Sequence, residues 1–104
     1  MLDIKVWLKT TGMDVAEQRF LQPPALPYIV FVEDSNISGA DNKNYITDKA
    51  ITIELYSYKI NREAEGKVEA LINEKGIQYK KERMWIDSER FFQTIYNFNL
   101  IEKF

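Results

Sequence analysis

The chain has 104 residues, 45% hydrophobic and 29% charged, a composition that predicts one folded domain with a single core and excludes intrinsic disorder. It contains no cysteine and no histidine, which excludes disulfides, thiolate metal sites and catalysis by a Ser–His or Cys–His pair. Its net charge of -2 offers little overall attraction to nucleic acid. No apolar stretch is long enough for a membrane helix and no signal peptide is recognisable, so a cytosolic protein is expected.

The first apolar segment, residues 2–11, fits both a helix and a strand. Its apolar residues alternate as in a strand, whereas Ile4, Trp7 and Leu8 also share one helical face. Asp3 stands near the positive end of such a helix, and Gly12 stands where a left-handed residue would end it. The prediction is a helix, with a strand as the alternative.

The segments that follow predict three strands, with a proline-rich connector after the first. Residues 15–21 fit a short edge strand, and the prolines between 23 and 27 then remove ladder donors and keep the backbone extended. The continuous apolar run Tyr28–Val32 predicts a central strand. The alternation over Ile51–Tyr56 predicts a strand that pairs antiparallel with it.

Between these two strands, Ser35–Asp48 is rich in Asn, Asp, Ser and Gly and is predicted to be a long, mobile loop. Asp34, Asn36 and Gly39 resemble the opening of a calcium-binding EF-hand loop. Tyr45 occupies the position where a bidentate Glu is required, so a plain turn is favoured and no metal is predicted.

The last part of the chain predicts a helix and two strands. Asn61 can cap a helix that ends at Gly76, and its apolar residues recur at helical spacing. An irregular strand over 77–81 and 84–86, a turn over 87–90 and a closing strand over 91–102 follow, with one face of the closing strand formed by Phe92, Tyr96, Phe98 and Leu100.

The order of elements indicates an α+β fold: a mainly antiparallel sheet of about four to five strands with two helices packed on one face. Two short helices cannot cover a whole sheet. Apolar surface around Trp85 and Tyr56 is therefore expected to meet a partner.

Chemical signatures are scarce. No glycine-rich phosphate loop occurs, and the adjacent carboxylates Glu33 and Asp34 are better explained as a solvated strand end than as a catalytic pair. The basic residues Lys80, Lys81 and Arg83 favour a charged edge strand or hairpin tip, with a weak phosphate contact as the alternative. No catalytic residue, cofactor or metal ligand is predicted.

Five segments together resemble the small tail-terminator, or tail-completion, proteins of long-tailed phages and prophages. They are residues 7–12 (WLKTTG), 23–31 (PPALPYIVF), 39–44 (GADNKN), 53–56 (IELY) and 96–103 (YNFNLIEK). The match is one of pattern and order, and it spans nearly the whole chain.

The resemblance implies a non-enzymatic structural protein that forms a hexameric ring on the tail tube, stops its growth and provides the head–tail joining surface. The implied partners are other copies of the chain, the tail tube protein and a head-completion protein, with at most weak non-specific DNA contact and no membrane. The implied location is the bacterial host cytoplasm during assembly and then the virion tail.

Two groups of residues are the candidate sites under this interpretation. An assembly loop would include Asp34, Asn36, Gly39, Asp41, Asn42 and Tyr45. Contacts to DNA in the lumen of the ring would come from Lys80, Lys81 and Arg83. The alternative function is a small non-enzymatic binding module or regulator of a bacterium, which would use the apolar sheet face or Pro24–Pro27 to hold a protein; a hydrolase built on Glu33 and Asp34 is a third.

Overall fold

The computed structural model describes residues 2–38 and 46–103. The elements are α1 (Ile4–Lys9), β1 (Asp14–Glu17), β2 (Tyr28–Ser38), β3 (Ile46–Ser57), α2 (Arg62–Glu74), β4 (Lys80–Ile86) and β5 (Phe91–Lys103). The strands form one sheet in the order β1-β2-β3-β5-β4, in which β1 is parallel to β2 and every other pair is antiparallel. The predicted α+β class with a mainly antiparallel sheet is confirmed.

The ambiguous first segment is a helix. The side chain of Asp3 caps it by accepting a hydrogen bond of 3.1 Å from the Val6 backbone N–H. Ile4 and Leu8, one turn apart, are buried while Val6 between them is 61% exposed, which satisfies the helical period and not the strand period. Gly12 has φ of +86° and turns the chain from the helix into β1, as its position in the sequence predicts.

The second helix also begins and ends where the sequence indicates. Asn61 Oδ1 accepts a hydrogen bond of 3.0 Å from the Ala64 N–H. At the other end Gly76 has φ of +68°, and the Ile77 N–H reaches back to the Ile72 carbonyl, as in a Schellman motif.

Both helices pack on the same face of the sheet, which we call the covered face. The Trp7 ring of α1 meets Phe98 edge to face at 6.3 Å, and Glu65 of α2 accepts a hydrogen bond from Thr94. Thr94 and Phe98 are four residues apart in β5 and so point to the same side. The core lies between this face and the helices and is formed by Ile4, Leu8, Val15, Ile29, Phe31, Ile51, Ile53, Leu55, Ala64, Val68, Ile72, Tyr96 and Phe98.

The predicted loop over Ser35–Asp48 is wrong at both ends. The antiparallel ladder between β2 and β3 continues through Ile37↔Thr47 to Ser38↔Ile46, because ladder hydrogen bonds need only backbone groups and tolerate polar side chains. The part of the loop from 39 to 45 lies outside the described residues.

Two further strand boundaries differ from the prediction. β4 is continuous from Lys80 to Ile86 and is not interrupted at 82–83, since β5 pairs with it along its whole length. β1 ends at Glu17 instead of extending to Leu21, because Gln18 adopts φ of +70° and turns the chain away from the sheet.

The two outer strands are shorter than the three inner ones. β1 reaches only as far as Phe31 on β2, and β4 begins level with Asn97 of β5. Beyond those points β2, β3 and β5 continue together as a three-stranded arm made of Val32–Ser38, Ile46–Thr52 and Phe98–Lys103.

Substitution of two glycines by alanine distinguishes the effect of backbone conformation on stability from the effect of steric contact. A Cβ added at Gly66 or at Gly76 meets nothing within 4 Å, but only Gly76 has a positive φ. We expect Gly66→Ala to raise the free energy of unfolding by about 0.5–1 kcal/mol, because alanine is the better helix former. Gly76→Ala should lower it by about 1–2 kcal/mol, because alanine is strained in the left-handed region. Urea unfolding of both variants measures the difference, and equal effects of the same sign would contradict this description.

Candidate functional site

A buried carboxylate, Glu65 of α2, lies against the covered face at the β4–β5 edge. Its side chain is 2% exposed. Arg83 donates from Nε to Oε2 at 2.8 Å and from Nη2 to Oε1 at 2.6 Å, a bidentate pair. Lys81 Nζ donates to Oε1 at 2.8 Å, and Thr94 Oγ1 donates to Oε2 at 3.3 Å.

A second carboxylate one helical turn later joins the same group. Glu69 Oε2 accepts from Lys81 Nζ at 2.7 Å and from the hydroxyl of Tyr96 at 2.8 Å. Lys81 therefore bridges Glu65 and Glu69, and its ammonium also lies 5.9 Å from the centre of the Tyr96 ring. We refer to Glu65, Glu69, Lys81, Arg83, Thr94 and Tyr96 as the Glu65 cluster.

The local sequence explains why these side chains converge. Lys81 and Arg83 alternate along β4 and pair with Tyr96 and Thr94 of β5, so all four point to the covered face. Glu65 and Glu69 are four residues apart on α2 and share one side of the helix. The packing of α2 on this face therefore brings two carboxylates onto two cations.

The cluster shifts the pKa values of Glu65, Lys81 and Tyr96. Hydrogen bonds from Arg83, reinforced by Lys81, outweigh burial and lower the pKa of Glu65 from 4.5 to about 2. Burial opposes the charge of Lys81, but its hydrogen bonds to Glu65 and Glu69 prevail and raise its pKa. Burial and the hydrogen bond to Glu69 raise the pKa of Tyr96 far above its ordinary value. At neutral pH these shifts keep Glu65 and Lys81 ionised and Tyr96 protonated.

The cluster is thus a clamp between α2 and the sheet edge. Both carboxylate oxygens of Glu65 accept hydrogen bonds from protein donors, and sequence reasoning did not find this site. The signal lies in two spacings, Glu65 to Glu69 at helical period and Lys81 to Arg83 at strand period, which become informative only once the two elements are known to pack together.

The three residues predicted to contact DNA do not act as one patch. Lys81 and Arg83 point to the covered face and are paired with Glu65, whereas Lys80 lies at an exposed position on the other face of β4. Two of the three positive charges are therefore neutralised within the chain. A contact between this region and DNA stays a prediction.

The predicted assembly loop is divided between the arm and the part of the chain outside the described residues. Asp34 and Asn36 lie in β2, near the far end of the arm. The other four residues, Gly39, Asp41, Asn42 and Tyr45, fall outside the described residues. Because Asp34 and Asn36 are in an extended strand, they do not begin a calcium-binding turn.

The adjacent carboxylates Glu33 and Asp34 point to opposite faces of β2. Glu33 lies on the covered face and forms an ion pair of 3.1 Å with the buried Lys49, while Asp34 is exposed. Two carboxyl groups on opposite sides of a strand cannot act on one substrate atom. The hydrolase alternative is therefore wrong.

The face of the sheet away from the helices, the open face, carries a row of aromatic rings. Phe20 packs against Tyr28, Tyr28 against Tyr56, and Tyr56 against Phe91, with centroid separations of 5.0–5.2 Å. The Tyr56 hydroxyl donates to Glu54 at 2.8 Å, and burial together with this bond raises its pKa. Tyr28 is buried within this row, and the other three rings are half-buried.

Trp85 does not belong to that row, which corrects the prediction that it shares an apolar surface with Tyr56. It pairs with Phe92 on the covered face, and the two rings are 4.9 Å apart. Trp85 is nevertheless 45% exposed, because it lies at the outer edge of β4 beyond the reach of α2.

Residues 2–38 and 46–103 contain no group of three or more acidic side chains placed to hold a metal ion. An open groove between the start of β4 and the arm is lined by apolar and amide side chains, Thr52, Tyr79, Lys75 and Lys80, and has no carboxylate in its lining. No helix in the described part of the chain has the length and apolar character needed to cross a membrane.

Comparisons with known proteins give similarity to solved structures but not to family models or curated sequences. No protein-family model matches the chain, and neither does any curated protein sequence. Among solved structures, the chain is similar to a chain in the virion of a native gene transfer agent (GTA) particle, with a TM-score of 0.57 and 11% sequence identity. The similarity covers 88% of this chain and 81% of that chain. At this identity it shows a shared fold.

The Glu65 clamp predicts a specific dependence of stability on pH. The pKa of Glu65 is lower in the folded state than in the unfolded state, so its contribution of about 3 kcal/mol is present above pH 4.5 and is lost as the pH falls towards 2. We expect Glu65→Gln to lower the free energy of unfolding at pH 7 by roughly 2–4 kcal/mol and to flatten its fall below pH 5.

The matched control for this substitution is Glu63→Gln. Glu63 is also on α2 and paired with a lysine, Lys67, at 3.7 Å, but its side chain is 84% exposed. It should change the free energy of unfolding by less than about 0.5 kcal/mol. Urea unfolding between pH 2 and 7 tests both variants, and parallel curves for Glu65→Gln and the unsubstituted protein would disprove the clamp.

Proposed function

We propose that the chain is a non-enzymatic structural subunit of a phage-like particle. The observation that carries this proposal is the fold it shares, over most of both chains, with a component of a gene transfer agent virion. The chemistry of the described residues supports the proposal, because Glu65, the carboxylate with the lowered pKa, is fully paired within the protein and does not line the open groove beside the arm.

The more specific proposal is that the subunit caps the tail tube as a ring and offers the surface to which the head is joined. The five sequence segments that resemble tail-terminator proteins support it. The sheet supports it as well, because its two edges are different strands, and a ring subunit needs two different surfaces that meet on neighbouring copies. The tail tube protein and a head-completion protein are the proposed partners, and the proposed location is the host cytoplasm during assembly and the virion tail afterwards.

Assembly would be templated by the end of the tube. Subunits that associate weakly in solution form a ring once several of them are held together on one platform, because their effective concentration rises. The three-stranded arm, which extends beyond the two edge strands and carries Asp34 and Asn36, is the element that we propose to contact the tube or a neighbour.

Removal of the gene from a tail-producing phage or prophage tests the function. We expect tails of irregular, extended length that fail to join heads, because nothing stops the growth of the tube or offers a docking surface. Negative-stain electron microscopy measures tail length and the fraction of tails with heads, and supplying the gene from a plasmid should restore both. Tails of normal length that join heads efficiently would exclude the capping role.

The same experiment distinguishes the alternative, a small binding module or regulator of a bacterium. That function predicts structurally normal particles in the deletion strain and a phenotype that does not require the particle. Substitution of Glu65 does not separate the two functions, because the clamp supports the fold in either case.

A further inference from the structure

The sheet ends in two strands that have no strand neighbour on their outer side among the described residues. β1 is one edge and β4 is the other. An edge strand presents a row of backbone donors and acceptors that another strand can pair with. In a second copy of the chain, β1 could pair in this way with β4 of the first.

The directions of the strands permit this fit. β1 runs with β2, and the antiparallel steps from β2 through β3 and β5 to β4 leave β4 running opposite to β1. If a neighbouring copy is related by rotation about an axis roughly along the strands, its β1 lies antiparallel to β4. A ring whose copies all point the same way therefore needs no change of strand direction.

The two edges also lie at the same height on the sheet. Glu17 of β1 pairs with Phe31 of β2, and the row of paired residues continues through Ile53 and Tyr96 to Lys81 of β4. The row that starts at the other end of β1, at Asp14, ends at Met84 of β4. A pure rotation without a shift along the strands thus brings the four residues of β1 opposite Lys81–Met84.

The side chains in this register are complementary on the covered face. Glu17, which is exposed, comes opposite Lys81, whose side chain is 31% exposed despite its two carboxylate partners. Met13, just before β1, comes opposite Trp85, which is 45% exposed and would gain a sulfur–aromatic contact. A tryptophan at the margin of a sheet is the kind of residue that anchors an interface.

From these features we propose that the chain self-associates by antiparallel pairing of β1 of one copy with β4 of the next, so that one sheet continues through successive copies. The occupant of each edge is a second copy of this chain. Closure of this contact into a ring rests on the proposed function, whereas the pairing itself does not. Because both helices lie on the covered face, a closed ring places that face outside, where the circumference is larger, and Lys80 faces the channel.

Cysteine cross-linking tests the pairing without background, because the chain has no cysteine. Ala16→Cys and Glu82→Cys would lie directly opposite each other across the boundary, on the open face. Within one chain they are separated by four strand spacings, roughly 19 Å, so a disulfide between them must join two copies.

The two single variants are mixed at high concentration and oxidised, and the products are identified by electrophoresis and peptide mass spectrometry. We expect the 16–82 disulfide to form at least tenfold more than the disulfide from Lys67→Cys mixed with Glu82→Cys, a pair of exposed positions that the proposal keeps apart. The double variant should give a ladder of oligomers. A 16–82 yield equal to this control, or a predominance of 16–16 or 82–82 disulfides, would overturn the proposal.

A second variant pair, made in the background of the 16–82 cysteines, tests whether a side chain beside the cross-link contributes to the contact. Trp85→Ala should reduce the 16–82 yield severalfold, whereas Ile101→Ala, which removes an apolar side chain that is 65% exposed but lies on the arm, should not. Equal 16–82 yields with Trp85→Ala and with Ile101→Ala would show that Trp85 does not contribute to the interface. Because all of these measurements use the isolated protein, their failure would leave the virion role standing, and failure of the virion role would leave the pairing intact.

Discussion

The bidentate pair between Glu65 and Arg83 fixes the position of the second helix on the sheet, and much of the rest of the structure depends on it. Arg83 belongs to β4, the outermost strand, which has a strand neighbour on one side only within the described sheet. The pair therefore attaches β4 to α2 on the covered face, while backbone pairing attaches β4 to β5 within the sheet. A buried carboxylate is stable here because two cations and a hydroxyl satisfy it completely.

This clamp has a consequence for assembly. Edge strands are ordinarily the most easily opened part of a sheet, and a flexible edge loses conformational entropy when a partner orders it. A strand whose alternate side chains are fixed by α2 is already in its extended form, with its outer backbone groups free to pair. The Glu65 cluster thus prepares β4 as a docking edge, and Trp85 remains exposed on the same strand.

The sequence predicted those parts of the fold that depend on local signals. Asn61, Gly76 and the helical stripe between them define α2, and the alternation from Phe92 to Leu100 defines β5. The parts of the arm at residues 35–38 and 46–48 were missed because these segments are mostly polar, and the pairing of Ile37 with Thr47 depends on a ladder that begins far away in the chain. Propensity rules read such residues as a loop.

The candidate site was harder to predict for the same reason. Lys81 and Arg83 look like a solvated basic patch until β5 is placed beside them and α2 above them, and Glu65 looks like one more charge beside an apolar stripe. Which charges meet is a property of packing between elements, and it cannot be obtained from spacing within one element. The same holds for the two sheet edges, whose match in height and direction follows from the register of every strand between them.

Hydrogen exchange of the backbone amides of β4 tests the central claim, that this chain acts through a prepared sheet edge, most directly. In dilute solution the outward-facing amides of β4 should exchange fast while the amides of β3, in the middle of the sheet, remain protected. At concentrations where copies associate, the outward-facing amides among residues 81–84 of β4 should become protected. The exchange rates of the β3 amides should not change. Outward-facing β4 amides that exchange equally fast in associated and dilute samples would contradict the account.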